Sequence, residues 1–137
     1  MLPALLLIKT ETTRLLNTFD VFAKRQNEAK IISQYVLGLF YYNGDGIPRD
    51  YEEAAKWFRR AADQGYDMPQ FMLAKLYASG RGVPKNIVVS QMWLTLSAAQ
   101  GNEHAMKARD LLEERMTSGQ IAEAQKLVRE WKPKPER

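Results

Sequence analysis

The chain has 137 residues, a net charge of +4 and no cysteine. That length holds one domain or one short array of repeats. The missing thiols exclude disulfides, thiolate nucleophiles and cysteine-rich zinc sites, and a single histidine, His104, argues against any other zinc site.

The chain starts "MLPALLLIKTE". Its apolar run is too short to span a membrane and lacks a basic n-region and a cleavage site, so no complete signal peptide is visible. The compartment stays open. The strip is a clipped signal remnant, a misplaced start or an apolar segment folded onto the domain, and the last is expected. Residues 12–28 read as a helix with Leu15, Leu16, Phe19 and Phe22 on one stripe. A second helix follows over about 31–43, uncharged from Ile31 to Tyr42.

"NGDGIPRD" at 43–50 could hold calcium or a phosphate. The twelfth position counted from Asn43 is Ala54, where a calcium loop needs a bidentate Glu, and no Gly-Lys-Ser/Thr is present. It reads as a turn, and Asp50 as an N-cap completed by Glu53 in a capping box for a helix over 51–64 that Gly65 ends. Helices follow over about 68–79 and 87–100, closed by Gly101, then 103–116. Thr117 and Gln120 form another capping box for a last helix over 118–131. That makes about seven helices and no strands. The tail "KPKPER" carries Lys132, Lys134 and Arg137 against Glu136 and reads as solvated and flexible. The remaining charge is nearly balanced, which argues against nucleic acid binding.

The chain repeats itself at an offset of 36. Residues 33–68 and 69–104 share ten identities, among them Gly44/Gly80, Gly46/Gly82, Pro48/Pro84 and Trp57/Trp93. Asp45 and Asp50 become Arg81 and Asn86, so the residues that shape the turn recur and the candidate ligands do not. A period in the thirties with fixed turn residues marks a helical solenoid. Each unit is a helix A, a loop and a helix B.

"LGLFYYNGDGIPRDYEEAAKWFRRAADQG" closely resembles the Sel-1-like repeat, a relative of the tetratricopeptide repeat. It carries Leu-Gly-x-x-Tyr, Gly-x-Gly-x-Pro-x-Asp, Ala-x-x-Trp and Ala-Ala-x-x-Gly. The second unit departs at Ala74, Asn86 and Ser90 and keeps Trp93. "MTSGQIAEAQKLVREW" resembles the helix that closes many short bacterial members. The resemblance implies an all-α, right-handed α-solenoid that acts as a scaffold or adaptor and uses no cofactor. Its parts would be an N-terminal segment with a helical cap (1–28), two repeats (29–65 and 66–101), a partial repeat with a capping helix (102–132) and a tail (133–137).

Two surfaces stand out. On the second helix B, Val88, Val89, Met92, Thr95, Leu96 and Ala99 replace the charged Glu52, Glu53, Lys56, Arg59, Arg60 and Asp63. A helix apolar all round is normally buried, and the 3-4-3 spacing of Ile121, Ala124, Val128 and Trp131 suggests its cover. Trp57 and Trp93 are expected in the repeat core, and Leu37, Gly38 and Tyr41 against helix B. In tetratricopeptide repeats helix A lines the concave groove. By that resemblance the groove holds Ile32, Tyr35, Leu39 and Tyr42, then Met68, Phe71, Lys75 and Ala78, then His104, Lys107, Leu111 and Glu114. The partner-binding candidates are Tyr35, Leu39, Tyr42, Phe71, Lys75, His104 and Lys107; alternatively, these aromatics are core beneath the N-terminal helix. The function implied is non-enzymatic binding of a protein or peptide. Its rivals are a homodimer or larger homo-oligomer joined by apolar faces, and a cell-wall or antibiotic hydrolase of the kind proposed for some cysteine-rich relatives. The last is disfavoured by the lack of cysteine and of any Ser/Lys/His constellation.

Overall fold

The computed structural model describes residues 3–136; Met1, Leu2 and Arg137 lie outside the described residues. These contain six α-helices and no strand: α1 (Ala4–Asn43), α2 (Tyr51–Asp63), α3 (Asp67–Ser79), α4 (Ile87–Ala99), α5 (Glu103–Glu113) and α6 (Ser118–Glu130). Each helix packs on the next in chain order up to α5, and α6 packs on α4. This is the expected all-α solenoid. The first two helices read from the sequence are one continuous 40-residue helix. Among the described residues no helix is long and apolar enough to cross a membrane.

The two units repeat atom by atom. Gly44 and Gly80 end their A helices in the left-handed region, at φ of 74° and 70°. The Asp50 amide then donates to the Tyr41 carbonyl and the Asn86 amide to that of Tyr77, each at 2.9 Å. Asp50 and Asn86 cap α2 and α4 by accepting from the Glu53 and Val89 amides. Asn102 and Thr117 cap α5 and α6, and the reciprocal capping box forms at Thr117 and Gln120. At Asp50 the second half of the expected box is absent: the Glu53 carboxylate turns to Lys56, 3.6 Å away.

The core lies between the helices of each pair. Phe58 is fully buried, and Gly38 passes so close that a Cβ there would stand 2.5 Å from its ring. Tyr41 is half-buried in the same interface, as expected. Trp93 is 1% exposed and meets the Trp131 ring edge-on at 6.1 Å. Trp57 is only half-buried, with the Arg60 guanidinium 4.8 Å above its ring, because no helix covers it as α6 covers Trp93. The apolar face of α4 lies under α6, with Met92 and Ala124 buried, as its composition predicts.

Three expectations fail at the chain ends. Residues 3–27 do not fold onto the domain; they are exposed along their whole length, including Leu15, Leu16, Phe19 and Phe22. No strong helix breaker stands between Ala4 and Ile31, so the helix runs straight on past the position where a separate cap would turn back. Leu37 does not pack on α2: it is 38% exposed, whereas its counterpart Leu73 is 1% exposed. Leu73 faces the preceding repeat, and the first unit has none among the described residues.

The tail is not a free, solvated end. The Lys134 amide donates to the Asp63 carbonyl at 2.7 Å, and a Cβ at Gly65 would lie 4.0 Å from the Pro133 ring. Glu136 accepts from Gln34 Nε2 at 2.6 Å and Arg60 Nε at 2.8 Å, with Lys30 at 3.4 Å. The repeat explains why the tail lands there. In the second unit Gln70 Nε2 donates to the Ala62 carbonyl of the preceding helix B. Gln34 lacks that helix, and Glu136 supplies the acceptor.

The Arg60 hydrogen bond, helped by Gln34 and Lys30, holds the Glu136 carboxyl at about 2, below its ordinary 4.5. A depressed carboxyl contributes stability that is complete above about 4.5 and disappears as pH falls toward 2. Glu136→Gln is therefore expected to lower the thermal midpoint at neutral pH and to match the wild type near pH 2. An equal difference at both pH values would show that the tail docks without this charge.

Candidate protein-binding groove

A residue every three or four places along a helix stays on one face. On α1 this brings Tyr35, Leu39 and Tyr42 into line, on α3 Phe71 and Lys75, and on α5 His104 and Lys107. Tyr35, Leu39, Tyr42 and Phe71 are half-buried; Lys75, His104 and Lys107 are exposed. The N-terminal part of α1 does not lie over them, so they are not core beneath it.

Several of these side chains touch. Lys75 Nζ lies 5.6 Å from the centroids of both the Tyr42 and Phe71 rings. Phe71 in turn faces His104, with centroids 6.0 Å apart and an interplanar angle of 30°. Tyr35 and Tyr42 lean on Phe58 at 6.0 and 6.2 Å. Burial, with the Asp67 charge second, raises the Tyr35 phenol above its ordinary pKa, so it stays a neutral donor at physiological pH.

Two depressions open beside this line. One, of about 170 Å³, lies where α1 meets the start of α3, lined by Ile31, Ile32, Tyr35, Tyr66, Met68 and Pro69. The larger, of about 360 Å³, lies between α3 and α5 with α4 as its floor. Its apolar lining includes Ala74, Ala78, Leu94 and Leu111, and its charged lining residues are Lys75, Glu114 and Arg115. Leu111 is 65% exposed there.

The 36-residue offset explains why the larger cavity exists. Its wall residues Ala78 and Leu94 occupy the places of Tyr42 and Phe58. In the first unit those two rings pack against each other and fill the space. The second unit keeps the backbone and loses the rings. Leu94 and Arg115 were not among the residues read from the sequence, although the ring-to-aliphatic change at both wall positions was visible in the repeat alignment.

The Sel1 repeat family model matches residues 31–66 and 70–102. The chain belongs to the Sel1 repeat family. Sel1 repeats generally mediate protein–protein interaction. Among solved structures the chain is similar to c5321, a protective antigen present in uropathogenic Escherichia coli strains that displays an SLR fold, at 30% identity and a TM-score of 0.71. That match covers 80% of this chain and 24% of c5321. A Sel1 repeat protein from Oxalobacter formigenes is 38% identical with a TM-score of 0.57, over 58% of this chain and 60% of the other. This Sel1 chain thus spans about a quarter of the first protein's length and three fifths of the second's. No curated protein matches it.

Proposed function

We propose that this Sel1 protein is a non-enzymatic binding module whose groove takes a peptide segment of another protein. The observation that carries the reading is the cavity between α3 and α5. It is preformed, apolar inside and open to the groove. Such a site suits a side chain of Leu or Phe size, and a rigid wall lowers the ordering cost of binding. The lining residues Lys75 and Arg115, with Lys107 on the same stripe of α5, outnumber Glu114 and favour a carboxylate beside the apolar anchor. The ligand class is therefore an apolar residue flanked by acidic ones.

Ala78→Tyr restores the ring that the first unit has at this place and fills the cavity. Peptides selected by the wild type from a random display library should share an apolar–acidic pattern and bind the Ala78→Tyr protein at least tenfold more weakly, with its melting temperature little changed. Tyr35→Ala and Phe71→Ala should also weaken binding. Both residues are half-buried, so each should cost less than about 3 kcal/mol of stability. Selected peptides that bind the Ala78→Tyr protein undiminished would remove the cavity from the mechanism.

A further inference from the structure

The exposed half of α1 carries a regular pattern. Leu5, Ile8, Leu15, Phe19 and Phe22 are all exposed, Phe19 at 71%. With Thr12 they follow alternating steps of three and four. The same steps continue through Gln26, Ala29 and Ser33 to Val36 and Phe40, which are also exposed. That is an uninterrupted heptad seam along a 40-residue helix, the pattern by which one long helix packs on another. It ends on the open side of the solenoid. Val36 and Phe40 correspond to Met72 and Leu76, which are 7% and 1% exposed in the second unit.

We infer that the seam is a self-association surface on which α1 of a second copy packs antiparallel. Every other described helix has at most 13 residues, too short to cover it. A second α1 matches it end to end. Leu5, Ile8, Leu15, Phe19 and Phe22 lie toward the N-terminus, and Gln26, Ala29 and Ser33 separate them from Val36 and Phe40 at the other end. An antiparallel partner sets Leu5 on Val36, Ile8 on Ser33, Thr12 on Ala29 and Leu15 on Gln26, so that the bulky N-terminal half lies on the less apolar half of its partner, with Phe19 and Phe22 meeting at the two-fold axis. Flanking Glu11 then faces Arg25 of the other copy. Lys9 approaches Lys30, whose charge Glu136 of its own chain already holds. Side chains of this size offer on the order of 100 Å² each, so two copies would bury up to about 2,000 Å², where a specific interface needs roughly 1,200 Å².

Size exclusion with light scattering on the full chain should give a dimer mass. Phe19→Glu with Phe22→Glu should give a monomer that keeps the melting transition of the repeats. The chain has no cysteine, so introduced ones report cleanly. Mixed and oxidised, the Leu5→Cys and Val36→Cys proteins should cross-link chiefly to each other. A wild-type monomer would overturn the inference, whether residues 4–28 fold back or another protein takes the seam. So would a double variant that stays dimeric, while cross-linking of the Leu5→Cys protein only to itself would overturn the antiparallel order.

Discussion

Removing residues 118–137 is expected to leave a chain that no longer folds cooperatively. The deletion strips α6 from α4, whose helix carries no charged residue from Ile87 to Ala99. Met92 and Trp93, 8% and 1% exposed in the full chain, lose Ala124 and Trp131 as cover. The half-buried Trp131 side chain is lost outright, at part of the roughly 3–5 kcal/mol that a fully buried Trp is worth. Uncovering a helix face adds several more at roughly 25 cal/mol per Å², against a total stability of about 5–15 kcal/mol for a small domain. Dye binding and aggregation should appear together with a lost melting transition. The full chain offers a check that leaves the tail in place. Val89→Glu with Met92→Glu sets two carboxylates under α6 and should abolish folding. A folded truncation with the oligomeric mass and dye binding of the full chain would show that this face has no need of cover.

That interface was legible because six charged positions of the first helix B turn uncharged at a fixed offset. The turns were legible for the complementary reason: glycine and proline recur at the same places with the same backbone geometry. What the sequence left hidden depends on neighbours. Leu37 and Leu73 are the same residue at equivalent positions, yet only Leu73 has a helix in front of it. The continuity of α1 was missed because a repeat boundary was expected near residue 29, although Ala29 and Lys30 favour helix and nothing local breaks it. The tail reads as solvated from its lysines and prolines. Its docking rests on a contact between Glu136 and Gln34 across 102 residues, which no local pattern announces. Of the groove candidates, Tyr42, Phe71, Lys75 and His104 touch one another, and the cavity beside them is set by two rings that the second unit lacks.

Gly82→Ala and Gly46→Ala form a matched pair that isolates the contact between repeats. The two glycines occupy the same turn position with nearly the same backbone, φ 71° and 76°. An L-residue there costs about 1 kcal/mol from its left-handed conformation alone. Around Gly46 a new Cβ meets nothing within 4 Å. At Gly82 it would stand 2.2 Å from the Tyr51 carbonyl oxygen and 2.7 Å from the Glu52 amide nitrogen. Those are backbone atoms at the start of α2, so the second turn must pull away from the first repeat. Overpacking of this kind costs typically 1–3 kcal/mol in addition to the strain. Gly46→Ala should therefore lower stability by about 1 kcal/mol and Gly82→Ala by about 3 kcal/mol, measured by urea unfolding. The larger loss should come with weaker hydrogen-exchange protection at the start of α2. Equal losses at the two positions would mean that the turn of the second unit does not rest on the first repeat, and that the solenoid is held by its helices alone.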